Sequence, residues 1–196
     1  MKAIVMAGGK GRRLRTEKQL IEICGKPMIS WVVEAVRNSS LIEEVVLAIT
    51  KLVVKTREWA LKNGLRIIYT SGKGYESDVL EAVRKVGSPA FIIPSDMPLI
   101  SSQMIDRLIG MSENIKADIV TFAVPLRDYL KYGSIKSIVP IKCNKAECQP
   151  IGISLFNNSS CETWMTLIVD MSPEFINVNT LEELELARRY MKEDRL

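Results

Sequence analysis

Short runs rich in Val and Ile alternate along much of this chain with stretches whose apolar residues recur at helical spacing. Strands of a parallel sheet are covered on both faces and read as nearly continuous apolar runs, whereas the connecting helices are apolar on one side only. The alternation therefore predicts an α/β fold, with a mostly parallel sheet and helices on both faces. The predicted strands are Ala3–Met6, Glu44–Ala48, Arg66–Tyr69, Ala90–Ile93 and Asp118–Val124.

Two stretches between these strands have the i, i+3, i+4, i+7 spacing of a helix with one buried face. They comprise Ile29, Val32, Val33 and Val36 and, further along, Val79, Leu80, Val83 and Val86. Trp31 and Trp59 lie beside such stripes. We expect both rings in the core or at its rim rather than under a ligand.

The alternation loosens after Val124. We interpret Leu126–Cys143 and the extended segment Gln149–Phe156 as longer strands and insertions at one edge of the sheet. Thr180 and Glu183 have the spacing of a capping box and predict the start of a last helix. One side of that helix is expected to carry Leu181, Leu184, Ala187 and Met191. With no repeat or linker, residues 1–196 are expected to form a single domain.

Charge and residue usage narrow the function. The chain has 27 Lys and Arg against 23 Asp and Glu, a formal charge of +4. Without a dense basic tract this balance favours an anionic small substrate over nucleic acid. The chain contains no His, which excludes Ser-His-Asp and Cys-His hydrolases and His-ligated zinc sites.

The cysteines and the apolar runs indicate the cellular compartment of the protein. Its four cysteines, at positions 24, 143, 148 and 161, lack the Cys-x-x-Cys spacing of zinc ribbons and redox dithiols. We expect reduced thiols and no metal clasp. No apolar run reaches membrane-spanning length, so we expect a cytoplasmic protein. The sequence does not decide between a monomer and a homodimer.

A glycine-rich segment follows the first predicted strand, where open α/β sheets bind ligands. It contains Gly8, Gly9 and Gly11, accompanied by Lys10, Arg12, Arg13 and Lys18. Glycines let bare backbone N–H groups face a ligand, and the cations add positive charge around them. The spacing fits neither the P-loop nor the dinucleotide-binding motif. The segment therefore predicts a phosphate-binding loop of another kind, and the alternative is a flexible turn with solvated charges.

The residues Ala7–Gly11 with Arg13, followed by Lys18 and Leu20, resemble the signature loop of the nucleotidyltransferases that join a nucleoside triphosphate to a sugar or cofactor phosphate. The resemblance continues at Ser95–Pro98, after the fourth strand, and at Asn177–Thr180, before the last helix. It implies a Rossmann-like, doubly wound sheet. Two positions depart from the pattern, since Gln19 replaces a usual Pro and Arg12 a common Thr.

Within this MobA-like superfamily, the pattern is most similar to the archaeal-type adenosylcobinamide-phosphate guanylyltransferases. The matching positions are Glu17-Lys18, Leu20-Ile21, Cys24-Gly25, Thr70–Tyr75 with Asp78, and Pro150–Ile153. The resemblance implies that GMP passes from GTP to adenosylcobinamide phosphate in cobalamin biosynthesis. The attacking phosphate is already an anion, so no general base is needed, which is consistent with a chain without His.

The resemblance also implies roles for the loop residues. The amides of Gly8, Gly9 and Gly11, next to Ala7, together with Lys10 and Arg13, would hold the β- and γ-phosphates of the nucleotide. Lys18 would reach the α-phosphate. Four side chains are therefore expected to be catalytic: Lys10, Arg13, Lys18 and Asp96.

Asp96 is expected to bind Mg²⁺, because a buried strand carries it to the same edge of the sheet as the glycine loop. The local alternative for Asp96 is an Asx-turn before Pro98. The superfamily pattern points to Asn179 as the second metal ligand, while Asn177 and Asp170 compete with it. Asn179 alternatively does no more than precede the helix cap.

The remaining nucleotide-binding candidates lie in two further segments. They are Ser71, Gly72, Lys73, Gly74 and Asp78 after the third strand, and Gly152 in the extended segment. Asp78 either accepts from guanine or stabilises the positive end of the following helix. Gly152 marks a close approach of backbone to something, either the nucleotide or the corrinoid.

Two other functions stay open. One is nucleotidyl transfer to molybdopterin or to another phosphorylated cofactor or sugar, since the loop and Asp96 are shared among these enzymes. The other is a non-catalytic nucleotide sensor. Pure binding does not require a lysine at the α-phosphate, so the presence of Lys18 together with Asp96 counts against a sensor.

Overall fold

The computed structural model describes residues 1–9, 17–132, 139–143 and 146–193. Lys10, Gly11, Arg12 and Arg13 of the predicted phosphate loop lie outside these residues. The strands are β1 Lys2–Met6, β2 Glu22–Ile23, β3 Lys26–Pro27, β4 Glu44–Ile49, β5 Arg66–Tyr69, β6 Ala90–Pro94, β7 Ile119–Pro125, β8 Ile141–Cys143, β9 Ala146–Phe156 and β10 Trp164–Ile168. The α-helices are α1 Met28–Arg37, α2 Val54–Lys62, α3 Tyr75–Val86, α4 Ser102–Ser112, α5 Leu126–Tyr132 and α6 Leu181–Glu193.

The central sheet runs in the order β10-β7-β9-β6-β1-β4-β5 within the described part of the chain, and β8 pairs with β9. β5, β4, β1 and β6 are parallel neighbours, as are β7 and β10. β9 is antiparallel to β6 and β7, between which it lies, and also to β8. The sheet is thus mostly parallel, as the alternation of apolar runs predicts.

Helices cover both faces of the sheet because side chains of each strand alternate between two apolar clusters. Ala3 and Val5 face the cluster that contains residues of α1, α2 and α4. Ile4 and Met6 face the cluster that contains residues of α3. A third cluster joins the buried side of α6 to β2 and the start of α1. The prediction of an α/β fold with helices on both faces is confirmed.

The local predictions match the structure closely. Each of the five predicted strands is present, with ends that differ by at most one residue. The predicted helix stripes lie in α1 and α3 and pack into the core, and Trp31 and Trp59 are partly buried against it. Thr180 and Glu183 form the expected capping box, with Thr180 N–H donating to Glu183 Oε2 at 2.9 Å and Glu183 N–H to Thr180 Oγ1 at 3.2 Å.

Three expectations for the second half are wrong. Residues 126–132 are helical, because Tyr129 packs into the core as part of the short helix α5 rather than of a strand. Gln149–Phe156 is extended, but it lies inside the sheet between β6 and β7 instead of at an edge. Leu181 is 63% exposed, since it occupies the first turn of α6 outside the buried stripe.

No helix within the described ranges combines the length and apolar character that crossing a membrane requires.

Candidate active site

The carboxyl ends of β1, β4, β5 and β6 meet at one edge of the sheet and surround a cavity of about 430 Å³. This volume falls within the range of small-molecule sites, roughly 300–1,000 Å³. Residues from several separate segments line it, among them Gly9, Lys18, Gly72, Tyr75 and Asp96. The carboxyl edge is where open α/β sheets bind their ligands, so the cavity is the candidate site.

A cluster of three side chains, Lys18, Asp96 and Asn179, forms at this edge. The Lys18 ammonium forms an ion pair with Asp96 Oδ2 and donates to Asn179 Oδ1 at 2.8 Å. The Lys18 and Asp96 side chains are only 15% and 14% exposed, so little water screens their attraction. The structure thereby brings together three residues that the sequence places far apart.

The Asp96 carboxylate is held on its other oxygen as well. Asn177 Nδ2 donates to Asp96 Oδ1 at 2.9 Å, and Val178 N–H donates to the Asp96 backbone carbonyl at 2.8 Å. Asn177 thus turns its nitrogen toward the carboxylate, whereas Asn179 turns its oxygen toward the same point as Asp96. Of the two asparagines, Asn179 has the orientation that a metal ligand needs.

Asp170, the third competitor for the second ligand, ends up elsewhere. It is exposed and follows β10, the edge strand, which three strand spacings separate from β6. At about 4.8 Å per spacing, the ends of the two strands are about 14 Å apart.

The donor set of this cluster suits a divalent cation. Asp96 and Asn179 direct one oxygen each at a single cationic centre, which is the Lys18 ammonium. Mg²⁺ prefers oxygen ligands and is usually bound by one or two carboxylates together with substrate phosphates and water. The described residues contain no group of three or more acidic or thiol side chains that could hold a metal by themselves. Asp96 and Asn179 therefore fit a magnesium ion whose other ligands would come from a bound nucleotide and water.

Gln19 has a role that sequence reasoning missed. Its side chain is buried, and its Nε2 donates to the carbonyls of Ala7 at 2.8 Å and Gly9 at 3.0 Å. The turn that carries Lys18 is therefore tied to the glycine segment by hydrogen bonds, at one of the two positions where the sequence departs from the pattern that it resembles. The signal for this role is the departure from the family pattern itself.

Glu17 anchors the same segment to α2. The N-cap residue of α2, Val53, has no capping side chain, and the Glu17 carboxylate instead accepts from Lys55 N–H at 2.9 Å and Thr56 N–H at 2.6 Å. It also accepts from Thr56 Oγ1 at 2.6 Å. Burial raises the pKa of Glu17, but the hydrogen bonds from Thr56 and Lys55 outweigh it, so the pKa lies below its usual value. Lys18 thus follows directly after a residue, Glu17, whose side chain is hydrogen-bonded to the start of α2.

The segment after β5 forms another part of the cavity wall. Gly72 and Gly74 line the cavity with φ of +73° and +129°, a backbone conformation that favours glycine. Asp78 lies in the first turn of α3, and its buried carboxylate accepts from Gly72 N–H at 2.8 Å, so it holds the loop that precedes its helix. Ser71 and Lys73 are exposed and do not line the cavity.

Gly152 lies behind this wall. Its φ is +82°, and a Cβ atom there would lie 3.2 Å from the Pro94 ring. The Gly152 carbonyl accepts from Tyr75 Oη at 2.8 Å. What approaches Gly152 closely is therefore the protein itself, at a point where Tyr75 joins the loop after β5 to β9.

The fold and the position of the cavity are those of an α/β protein that binds its ligand at the carboxyl edge of the sheet. Comparison with known proteins defines it further. Residues 3–132, about two thirds of the chain, match the MobA-like NTP transferase domain. The chain belongs to this family and is a nucleotidyltransferase.

Two relatives illustrate the match. The adenosylcobinamide-phosphate guanylyltransferase of Methanocaldococcus jannaschii is 30% identical over an alignment of 208 positions, gaps included, that covers the whole of both chains. A probable molybdenum cofactor guanylyltransferase of Thermococcus sibiricus is 34% identical over 110 residues, which cover 56% of this chain and 54% of the relative.

A solved structure supports the fold. CMP:2-keto-3-deoxy-manno-octonic acid synthetase, in a structure complexed with CTP, superimposes with a TM-score of 0.72 over 98% of both chains, at 17% sequence identity. The Rossmann-like, doubly wound architecture that the sequence resemblance implies is confirmed.

Proposed function

We propose that this enzyme transfers GMP from GTP to adenosylcobinamide phosphate, which gives adenosylcobinamide-GDP and pyrophosphate in cobalamin biosynthesis. The observation that carries the transfer chemistry is the cluster of Lys18, Asp96 and Asn179 beside the cavity at the carboxyl edge. The choice of base and acceptor rests on the M. jannaschii relative, which aligns over the whole chain.

The proposed reaction does not require the protein to remove a proton from the nucleophile. An oxygen of the acceptor phosphate forms a bond to the α-phosphorus of GTP, and the bond from that phosphorus to the bridging oxygen of pyrophosphate breaks. A phosphate monoester is largely a dianion at neutral pH, since its second pKa is about 6. The nucleophile therefore needs no general base, which agrees with a chain that has no His. Catalysis then reduces to positioning and charge neutralisation.

Lys18 is the residue that we place at the α-phosphate. Its ammonium sits on a flexible stem at the cavity and contacts two side-chain oxygens. When a phosphate enters, the ammonium can exchange one of these contacts for a phosphate oxygen and stabilise the charge that develops there. A preorganised charge of this kind contributes about 3 kcal/mol to transition-state stabilisation.

The backbone amides of Gly8 and Gly9 are the groups that we place at the β- and γ-phosphates, because both residues line the cavity. By resemblance we assign Gly11, Lys10 and Arg13 to the same phosphates.

Asp96 and Asn179 are the residues that would hold Mg²⁺. The ion, when bound, would neutralise part of the triphosphate charge. Asn177 keeps the Asp96 carboxylate in one orientation, in which its second oxygen faces a cation, the Lys18 ammonium.

Calorimetry followed by a coupled assay tests the proposal. The protein is titrated with GTP, ATP, CTP and UTP in Mg²⁺, and pyrophosphate release is then measured with adenosylcobinamide phosphate and without it. We expect GTP to bind most tightly and pyrophosphate to appear only when the corrinoid phosphate is present.

Molybdopterin is the second acceptor to include, because the T. sibiricus relative is a probable molybdenum cofactor guanylyltransferase. Release with molybdopterin alone would keep the guanylyltransferase and replace the acceptor. Tight GTP binding without transfer to either acceptor would contradict the enzyme proposal and favour a nucleotide sensor.

A further inference from the structure

Two buried side chains, Gln19 and Thr50, hold the backbone where the glycine segment begins. Gln19 Nε2 donates to the carbonyls of Ala7 at 2.8 Å and Gly9 at 3.0 Å, and Thr50 Oγ1 donates to the carbonyl of Gly8 at 3.0 Å. The two side chains are 1% and 4% exposed. Three consecutive carbonyls of this turn therefore have a side-chain donor each.

Fixing these carbonyls also fixes the N–H groups between them. The peptide unit is planar and trans, so the C=O of one residue and the N–H of the next point in opposite directions. A donor on the Ala7 carbonyl sets the direction of the Gly8 N–H, and a donor on the Gly8 carbonyl sets that of the Gly9 N–H. Both glycines line the cavity.

Thr50 also lies against two parts of the cavity wall. A Cβ atom on Gly8 would lie 2.9 Å from Thr50 Cγ2, and one on Gly72 would lie 3.2 Å from the same methyl group. One side chain at the end of β4 therefore packs against both glycine-bearing segments. Its hydroxyl orients one of them, and its methyl group lies beside both.

We infer that Gln19 and Thr50 are positioning residues that aim the Gly8 and Gly9 amides at the polyphosphate of the bound nucleotide. The identity of that ligand rests on the proposed function. Backbone amides oriented before the ligand arrives bind anionic oxygens without paying for reorganisation. The two side chains thus act through the turn, and the step that they serve is nucleotide binding rather than acceptor binding.

Two substitutions remove the donors and keep most of the side-chain volume, Gln19→Met and Thr50→Val. Gln19→Met also removes an oxygen, Oε1, that is buried without a partner among the described residues, which limits its cost to folding. Each variant is expected to raise the dissociation constant of GTP about tenfold and to leave the KM of the acceptor unchanged. Thr50→Ser keeps the hydroxyl and should bind GTP within about twofold of the wild type.

Matched controls come from outside the cavity. Gln103→Met changes an exposed glutamine of α4, whose side chain contacts Ser102. Thr166→Val removes a hydroxyl of the edge strand β10, which contacts Thr121. Both controls should bind GTP as the wild type does.

A second measurement needs no ligand. The ¹⁵N order parameters of the Gly8 and Gly9 amides should be about 0.85 in the wild type and in Thr50→Ser, and fall below about 0.6 in Gln19→Met and Thr50→Val. If wild-type protein fails to bind GTP, the proposed function is lost, while the order parameters still decide whether these side chains hold the turn.

The inference is overturned if the GTP dissociation constants and the order parameters of both donor variants match the wild type, even when the variants unfold at a lower temperature. It is equally overturned for Thr50 if Thr50→Ser behaves like Thr50→Val, because the hydroxyl then has no part in the effect. Should Gln19→Met not fold, the Thr50 pair decides.

Discussion

Two carboxylates at opposite edges of the sheet, Asp118 and Asp96, are held in different ways. At the amino edge, Asp118 Oδ2 accepts from Ser160 Oγ and from the backbone N–H groups of Glu162 and Thr163, all in one surface turn. At the carboxyl edge, Asp96 faces the ammonium of Lys18, which comes from a distant part of the chain. Backbone donors cannot leave a carboxylate without unfolding the turn, whereas an ammonium on a flexible stem can. Of these two carboxylates, Asp96 therefore has the partner that a substrate can replace.

The largest expected effect is a loss of turnover when the ion pair of Lys18 and Asp96 is broken. Lys18→Ala and Asp96→Asn should each lower the turnover about 10²–10³-fold, because each removes one charge that is oriented before the reaction. Pyrophosphate release with GTP and the corrinoid phosphate measures the loss, and circular dichroism checks that the fold survives.

Lys2→Ala is the matched control for Lys18→Ala. Lys2 lies at the amino end of β1, where its ammonium donates to the Val86 carbonyl at 3.0 Å. Turnover of this variant should equal that of the wild type. A Lys18→Ala enzyme with wild-type turnover would remove the contrast between the edges.

A smaller effect is expected at the turn that follows β1. In Gly8→Ala the new Cβ atom would lie 2.9 Å from Thr50 Cγ2 and 3.3 Å from the Thr50 backbone nitrogen. Overpacking of this kind costs about 1–3 kcal/mol of the free energy of unfolding, and the displaced turn should raise the KM of the nucleotide. Urea unfolding and the KM of GTP give the two values.

Gly110→Ala serves as the opposite case. Gly110 lies in α4, and nothing approaches the position of its Cβ atom within 4 Å. This variant should gain about 0.5–1 kcal/mol, because alanine has the higher helix propensity. If Gly8→Ala were neutral in both measurements, the tight contact with Thr50 would not restrict the turn.

Glu17→Gln tests the hydrogen bonds that hold Glu17, the residue before Lys18, to the start of α2. The free energy of unfolding should fall by about 1 kcal/mol, the usual contribution of a helix cap. The pKa of Glu17 is lower in the folded protein than in the unfolded chain, so the ionised form stabilises the fold. This stabilisation is complete above the ordinary pKa of 4.5 and is lost as the pH falls through the lowered value. Thermal unfolding of both proteins against pH should show curves that converge at acidic pH. A constant difference across the whole range would exclude a role of the charge.

The smallest effect is expected at the amino edge. Hydrogen bonds from Ser160, Glu162 and Thr163 lower the pKa of Asp118, so Asp118→Asn should lower the unfolding temperature slightly, and less than Glu17→Gln does. The loss should fade at acidic pH, where the wild-type carboxylate is protonated too. GTP affinity and turnover should not change. A change in the GTP affinity or the turnover would mean that Asp118 is energetically coupled to the site at the carboxyl edge.

Local patterns explain why the first half of the fold could be predicted. The apolar runs of β1, β4, β5 and β6 and the stripe of α1 depend on neighbours within a few residues. The position of Asp96 could be predicted for the same reason, since a buried strand delivers it to a known edge.

Contacts between segments that are distant in the sequence explain why other parts of the fold and site could not be predicted. The sequence of β9 predicts an extended chain, but its place between β6 and β7 depends on which strands it meets in the folded protein. The contacts of Glu17 and Gln19 join side chains to the backbone of other segments, and such bonds leave no periodic signal. The seven residues of α5 are too few to show a helical period clearly.

The insertion of β9 between β6 and β7 has a consequence for synthesis on the ribosome. β6 is completed at Pro94, but its partner is made only when residue 156 has been added. Until then the growing chain carries a fully apolar strand with one unpaired side, the kind of edge that adheres to other chains. Asn177 and Asn179 arrive later still, so the nascent chain completes the polar cluster around Asp96 only after β10, the last strand of the sheet, has been made.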